Sequence, residues 1–333
     1  MLRPQEGLRL ILAVAGLVML VVAIAYAAPI GTLKQFRVPT RNSSPLDITQ
    51  SSDGNFWFTE GNVLPPQPFG DHNVGRITPA GDVTEFPVCT FCFPNRIVQG
   101  ADGILYFTKS DPGLGRITTD GTVLPDVAPD NTLANGNGVA AYGNYIYYAA
   151  FNTHSIWQYN TVNGQFAEFP MPTPGANPSD VAVDASGMVW FTDAFTNNIG
   201  QLDPLHGTIQ LTSIGDGDPN GPRGIAIATD GKIWFTKRFS HVVGFLDPST
   251  SPATVREFQL ATTGPEGIAA GSDGSVWFTQ SLAGNVARID STGAITEGKS
   301  VKGSQPFGIT VAPSGDPWYV ELSANKIATL QLR

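Results

Sequence analysis

Histidine, cysteine and charge are all scarce in this chain: of 333 residues, four are His, two are Cys and 14% are charged. Lys and Arg number 19 against 28 Asp and Glu, a net charge of −9, and no basic run is interleaved with aromatics. The electrostatic footprint of a nucleic-acid binder is therefore missing. Cys89 and Cys92 cannot complete a structural zinc site, because no second Cys pair and no nearby His pair exists. Gly-x-Ser-x-Gly elbows, phosphate loops and His-Glu-x-x-His are also absent. Long helical bundles are excluded by 37 Gly and 26 Pro, and disorder by 10% aromatics with six Trp. What remains is a turn-rich, all-β chain.

Residues 1–27 read as a targeting segment. Arg3 and Arg9 bracket a short n-region, Leu10 to Ala25 are almost wholly apolar, and Ala25-Tyr26-Ala27 fits a small-residue cleavage site. Either this is a cleaved signal or an uncleaved anchor just long enough to span a bilayer. Both place the folded part, 28–333, outside the cytoplasm, periplasmic or extracellular, with membrane contact only through an uncleaved leader. In an exported chain, Cys89 and Cys92 are expected to form a small disulfide.

An aromatic pair inside an apolar run recurs as Trp57-Phe58-Thr59, Tyr106-Phe107-Thr108, Tyr147-Tyr148-Ala149, Trp190-Phe191-Thr192, Trp234-Phe235-Thr236, Trp277-Phe278-Thr279 and Trp318-Tyr319-Val320. The spacings are 49, 41, 43, 44, 43 and 41 residues. Each unit opens with a Pro-x-Gly-Ile-Ala-like run, turns at a pair such as Asp53-Gly54 or Asp273-Gly274, and passes through the aromatic run to two further apolar runs. Asp-Gly between short β-rich runs signals a hairpin, here expected as type I′. Four antiparallel strands per unit, repeated seven times, predict a seven-bladed β-propeller. The last unit lacks a fourth strand, while residues 33–39 match a fourth strand with no blade before them. Joining the two termini would close the ring and remove two open edges.

The residues after each Pro and after each aromatic-aromatic-Thr are expected to share one mouth of the central channel. The first set includes Arg223, Glu266 and Phe307; the second includes Glu60, Lys109, Asp193, Lys237, Gln280 and Glu321. On this reading Glu266, Glu321 and Glu60 cluster as an acidic sector able to hold Mg²⁺ or Ca²⁺ through oxygen ligands, or else form part of a solvated, mixed-charge rim. Lys109, Arg223 and Lys237 form a basic counterpart that would receive an anionic or carbonyl-bearing ligand, with Asp193, Gln280 and Phe307 as further substrate contacts. His72, His154 and His241 fall in loops of the same face and are the candidate general bases, since their unperturbed pKa suits that role. The first unit carries an insertion, Gly61 to Asn73, that contains Pro65-Pro66, Phe69 and His72 and would sit at the mouth, either as a lid or as a loop insertion tolerated without a role.

The repeated Pro-x-Gly-Ile-Ala, Trp-Phe-Thr and Gly-Arg-Ile-Thr-Pro-x-Gly motifs resemble the blades of the streptogramin B lyase (virginiamycin B lyase) family. The resemblance covers nearly the whole chain from about residue 33. It implies a carbon–oxygen lyase that opens a cyclic depsipeptide lactone with a Mg²⁺ ion and a His base. Residue by residue, it implies His at the positions of Glu266 and Phe307 and metal-binding Glu at those of Gln305 and Glu321. Only Glu321 matches. The expected function is thus a lyase-like propeller, active with a substitute base, or a non-catalytic module binding a small molecule, peptide or glycan, or a lactone hydrolase. A monomer is expected.

Overall fold

A computed structural model of the chain describes residues 29–61, 71–129, 135–215, 221–261, 263–290 and 292–332. The expected leader, and the part of the blade-one insertion holding Pro65, Pro66 and Phe69, lie outside the described residues. Among those described there is no helix. The strands form seven four-stranded antiparallel sheets, each in sequence order except the last. The seventh blade pairs Pro306–Val311, Pro317–Glu321 and Lys326–Gln331 with Thr32–Arg37 from the start of the chain. Thr32 stands opposite Gln331 and Arg37 opposite Lys326, so the N-terminal strand closes the ring as the spare-strand argument requires.

The aromatic pair explains the packing. Neighbouring residues of a strand face opposite sides of the sheet, so each pair serves two interfaces. Trp57 packs with Ile97, Leu105 and Phe107 of the second blade, while Phe58 packs with Trp318 and Ile327 of the seventh. Trp234 and Phe235 divide in the same way between the sixth and fourth blades. The core is therefore a ring of apolar clusters, one between each two neighbouring sheets.

The Thr that follows stitches the blades together. Thr236 Oγ1 accepts from Gly224 N in its own blade (3.0 Å) and donates to Glu266 O of the next (2.6 Å). Thr59, Thr108, Thr192 and Thr279 do the same, each reaching the carbonyl of the equivalent residue at the start of the next blade. Ala149 and Val320 lack the hydroxyl. At the seam that follows Val320, Asn325 substitutes, with its amide nitrogen on Val38 O and Thr40 O and its oxygen receiving Ser43 Oγ.

The hairpin turns differ from the expected type I′ geometry. Positive φ occurs at Gly54 (82°) but not at Asp53, Gly54 N bonds Ser51 O, and Ser51 N bonds Asn55 O. This is a type I turn followed by a left-handed Gly, the three-residue hairpin loop. The Asp instead caps the turn, with Asp53 Oδ1 accepting from Asn55 N.

Candidate functional site

Seven first strands line the central channel, and their starts form the mouth. At the position two residues after each Pro, or after Gly136 in blade three, four blades carry Gly138, Gly224, Gly267 and Gly308. A Cβ at any of them would collide with the neighbouring blade's first strand, at Asp180, Glu266, Phe307 and Asp47 respectively, so only glycine permits so narrow a neck. The other three blades place Asp47, Arg96 and Asp180 at this register position. They line a cavity of about 200 Å³ together with Ile48, Ile268 and Ile309.

These three residues form a buried charge network. Arg96 Nη1 lies 3.2 Å from Asp47 Oδ1, and Asp47 Oδ2 accepts from Ile97 N at 3.0 Å. Asp180 takes the Val181 N–H at 3.0 Å and adds its charge to the field on Arg96. Burial pushes Asp47 above the usual carboxylate range despite Arg96, and pushes Asp180 up to about 6. The Arg96 guanidinium also lies 5.5 Å from the Phe307 ring, which joins the neck to the mouth.

Above the neck, Glu266 is 4% exposed and ion-paired with Arg238. Burial raises its pKa, against the charges of Arg238, Arg223 and Arg96. Phe239 carries Arg238 at 5.6 Å and Arg223 at 5.9 Å from its ring. The Arg223 Nε is buried without a hydrogen-bond partner, which leaves a cationic donor at the mouth. Phe93, Phe151, Phe195 and Phe239 rim this face at 37% to 56% exposure, with the Phe151 and Phe195 rings 6.0 Å apart. A second cavity, about 470 Å³, opens between Phe93, Asn95, Asn137 and Phe151.

Of the ends of the second strands, Lys109 lines the second cavity beside Asn95 and Asn137, whereas the polar groups of the others are engaged away from the channel, which corrects the expectation that all of them line the mouth. Each Thr of the aromatic motif turns toward the next blade, so the residue after it turns toward the previous one and runs outward along the sheet. Lys237 Nζ bonds Glu257 and Ile214 O, and Lys109 Nζ lies 3.0 Å from Asp126. Gln280 Nε2 bonds Glu297 at 3.2 Å, and Asp193 accepts from Asn177 N and Thr196. Glu321 is fully buried, with Gln35 Nε2 at 2.6 Å. Burial raises its pKa, offset by Gln35 and Lys326. Glu60 faces Asn73 and Glu85. The structure therefore does not bring Glu60, Glu266 and Glu321 together, and no group of three or more His, Cys, Asp or Glu among the described residues is placed to hold a metal ion.

His154 and His241 sit just before third strands with φ of 51° and 55°, as Asn197 and Asn325 do in other blades. His154 Nδ1 lies 3.1 Å from Ala176 O, and His241 Nδ1 accepts from Gly264 N at 3.3 Å. A left-handed turn position that favours Asn, His and Gly explains their recurrence. His72 is buried under the Cys89–Cys92 disulfide loop, with its ring 4.5 Å from that of Phe93.

Of the two positions that the family resemblance assigns to a metal, Glu321 carries the acid but is fully buried against Gln35, and Gln305 carries none; its two His positions hold Glu266 and Phe307. Glu266 is held by Arg238, Phe307 lies beside Arg96, and Gln305 accepts from Ser323 Oγ. Of the expected contacts, Arg223, Glu266 and Phe307 remain at the mouth. Sequence reasoning missed Asp47, Arg96, Asp180, Arg238 and Phe239. The signal for the first three was present, because they stand where the Pro-x-Gly pattern requires a glycine.

The profile of the Virginiamycin B lyase family matches residues 22–243 and 207–333. A virginiamycin B lyase of Nocardia farcinica is 27% identical over 203 residues, 56% of this chain; the match spans 61% of that relative's length. Among solved structures, a streptogramin B lyase superposes with a TM-score of 0.80 at 23% identity, covering 91% of this chain and 98% of its own. The selenomethionine-substituted virginiamycin B lyase of Staphylococcus aureus gives 0.80 at 25% identity, with 91% and 99% covered. With matched blades extending to the C-terminus and one shared propeller architecture, the chain belongs to the virginiamycin B lyase family.

Proposed function

We propose that this family member is a ligand-binding propeller whose mouth takes a peptide-class molecule bearing carbonyl or carboxylate groups and aromatic or apolar side chains. The carrying observation is the exchange at the family's His positions: Glu266 is tied to Arg238, and Phe307 stands beside Arg96. A group already paired with a guanidinium is a poor proton acceptor, and a phenyl ring is none, so elimination lacks its base there. What the mouth offers is recognition. The half-buried Arg223 guanidinium supplies a cationic partner for an oxygen ligand, and the Phe rim supplies apolar contact. The disulfide supports a working place outside the cytoplasm.

Calorimetric titration of the full chain with a streptogramin B depsipeptide, followed by mass spectrometry of the mixture with Mg²⁺ present, tests this. The expected result is binding of an unopened ring, weakened about tenfold or more by Arg223→Ala through loss of a charge-assisted hydrogen bond. Ring opening that disappears in Glu321→Ala would replace this reading with the metal-dependent lyase. Absence of binding would overturn the ligand class.

A further inference from the structure

Seven copies of one blade allow each to be compared with the rest at the same register. At the mouth end, the last residue of the second strand reaches toward a fixed position on the fourth. In blade five these are Lys237 and Glu257, and in blade two Lys109 and Asp126, each an ammonium on a carboxylate. Blade six sets the Gln280 amide on Glu297, and blade seven sets the Gln35 amide on Glu321. In blade three, where the second strand ends on Ala150, Ser155 Oγ donates to Glu168 at 2.6 Å. Blade four has Leu211 at the fourth-strand position, and Asp193 turns to backbone N–H groups instead. In these six blades no acid at one of the two positions faces a second acid at the other, although Glu321 Oε1 is buried without a partner.

Blade one breaks the pattern. Glu85 lies opposite Gly75 as Glu257 lies opposite Gly244, so the positions are equivalent, yet the partner of Glu85 is a second acid, Glu60. Glu60 is 1% exposed, and its Oε1 has no hydrogen-bond partner. Its Oε2 is met by Asn73 Nδ2 at a long 3.4 Å, with the Ser43 hydroxyl also in reach. Glu85 is fixed from outside by the Thr40 N–H at 2.9 Å and the Thr40 hydroxyl at 3.0 Å. Burial, and then the Glu85 charge, push Glu60 up to about 8. A buried carboxylate oxygen with no donor, facing another carboxylate, is costly unless a proton or a cation lies between them.

We infer that blade one holds a hard cation, with calcium as the probe, between Glu60 and Glu85, where Lys237 and Lys109 place their ammonium groups in blades five and two. The Ser43 hydroxyl supplies a neutral oxygen ligand suited to such an ion, while the Asn73 amide nitrogen holds Glu60 Oε2. The site is separate from the channel mouth and borders the ring closure, since Ser43 Oγ also bonds Asn325 Oδ1 and the Thr40 carbonyl accepts from Asn325 Nδ2. A cation here would brace the seam that lacks the Thr stitch.

Thermal unfolding of the chelator-treated full chain at pH 8.5, with and without calcium, provides the test. Wild type is expected to gain about 5 °C in Tm at calcium a hundredfold above its dissociation constant. Glu60→Lys, which restores the arrangement of blade five, should melt at least as high as calcium-free wild type and ignore calcium. Glu85→Gln should also ignore it, and the terbium luminescence expected of wild type should vanish in this variant, which decides the matter if Glu60→Lys fails to fold. A wild type indifferent to calcium, as a pair sharing only a proton would be, overturns the inference. So does a calcium response that persists in Glu60→Lys.

Discussion

Two rings of seven positions stand near one face of this propeller, and they have opposite fates. The starts of the first strands, among them Arg223, Glu266 and Phe307, open onto the channel, and the next residue in each blade forms the neck. The ends of the second strands, among them Lys109, Lys237 and Glu321, are nearly or fully buried and spend their polar groups on their own fourth strands or on nearby turns, Lys109 alone of these three also lining a cavity at the mouth. Strand alternation decides the difference: the preceding residue faces the next blade, with a Thr hydroxyl on that blade's carbonyl in five of the seven, so the following side chain must face the other way. Nearness to a channel does not make a position functional; side-chain direction does.

The largest expected effect removes the outer ring's partner in blade seven. Deleting residues 29–37 takes away Gln35 together with the closing strand, leaving Glu321 buried without its donor and two sheet edges open. Loss of a cooperative thermal transition is expected; a truncated chain that melts like the parent would refute the closure.

Next comes the neck. Arg96→Met strands Asp47 and Asp180 in a buried cavity and should cost about 3–5 kcal/mol by urea unfolding, as when one partner of a buried ion pair is removed. A cost below about 1 kcal/mol would mean that the network is solvated.

A smaller effect is set by pH. Asp180 is raised from 3.8 to about 6, and Glu60 from 4.5 to about 8. Both hold a proton longer in the folded than in the unfolded chain, so their stabilisation is complete at low pH. It fades as pH rises, through about 6 for Asp180 and, in the chelator-treated chain, about 8 for Glu60. Asp180→Asn should flatten the fall between pH 4 and 6, on the order of 2–3 kcal/mol, and leave the fall between 6 and 8 unchanged. Equal slopes in variant and wild type would contradict this assignment.

Much of the fold was legible in the sequence because it repeats. Trp57-Phe58-Thr59 and its copies must satisfy the same two interfaces seven times, so spacing alone gave the blade count, and the unpaired strand at each terminus gave the closure. The turn type was misread because Asp-Gly serves two hairpin geometries, and the sequence does not say whether Asp53 itself enters positive φ. The site was half legible. Register placed Arg223, Glu266 and Phe307 at the strand starts, where they stand, whereas the directions of Glu60 and Lys237 were misread because the last residue of a strand can project into the channel or along the sheet. Arg238 and Phe239 lie in a loop, where no periodicity points to a direction.

Paired measurements of affinity and Tm on Arg223→Ala and Lys237→Ala test the division between the two rings most directly. Arg223→Ala should lose about tenfold or more in affinity for the depsipeptide while its stability stays within about 0.5 kcal/mol of wild type. Lys237→Ala, which removes a cation from Glu257, should bind as wild type does and lose about 1–2 kcal/mol of stability. The reverse outcome, with Lys237→Ala impairing binding and Arg223→Ala impairing only the melt, would contradict the account.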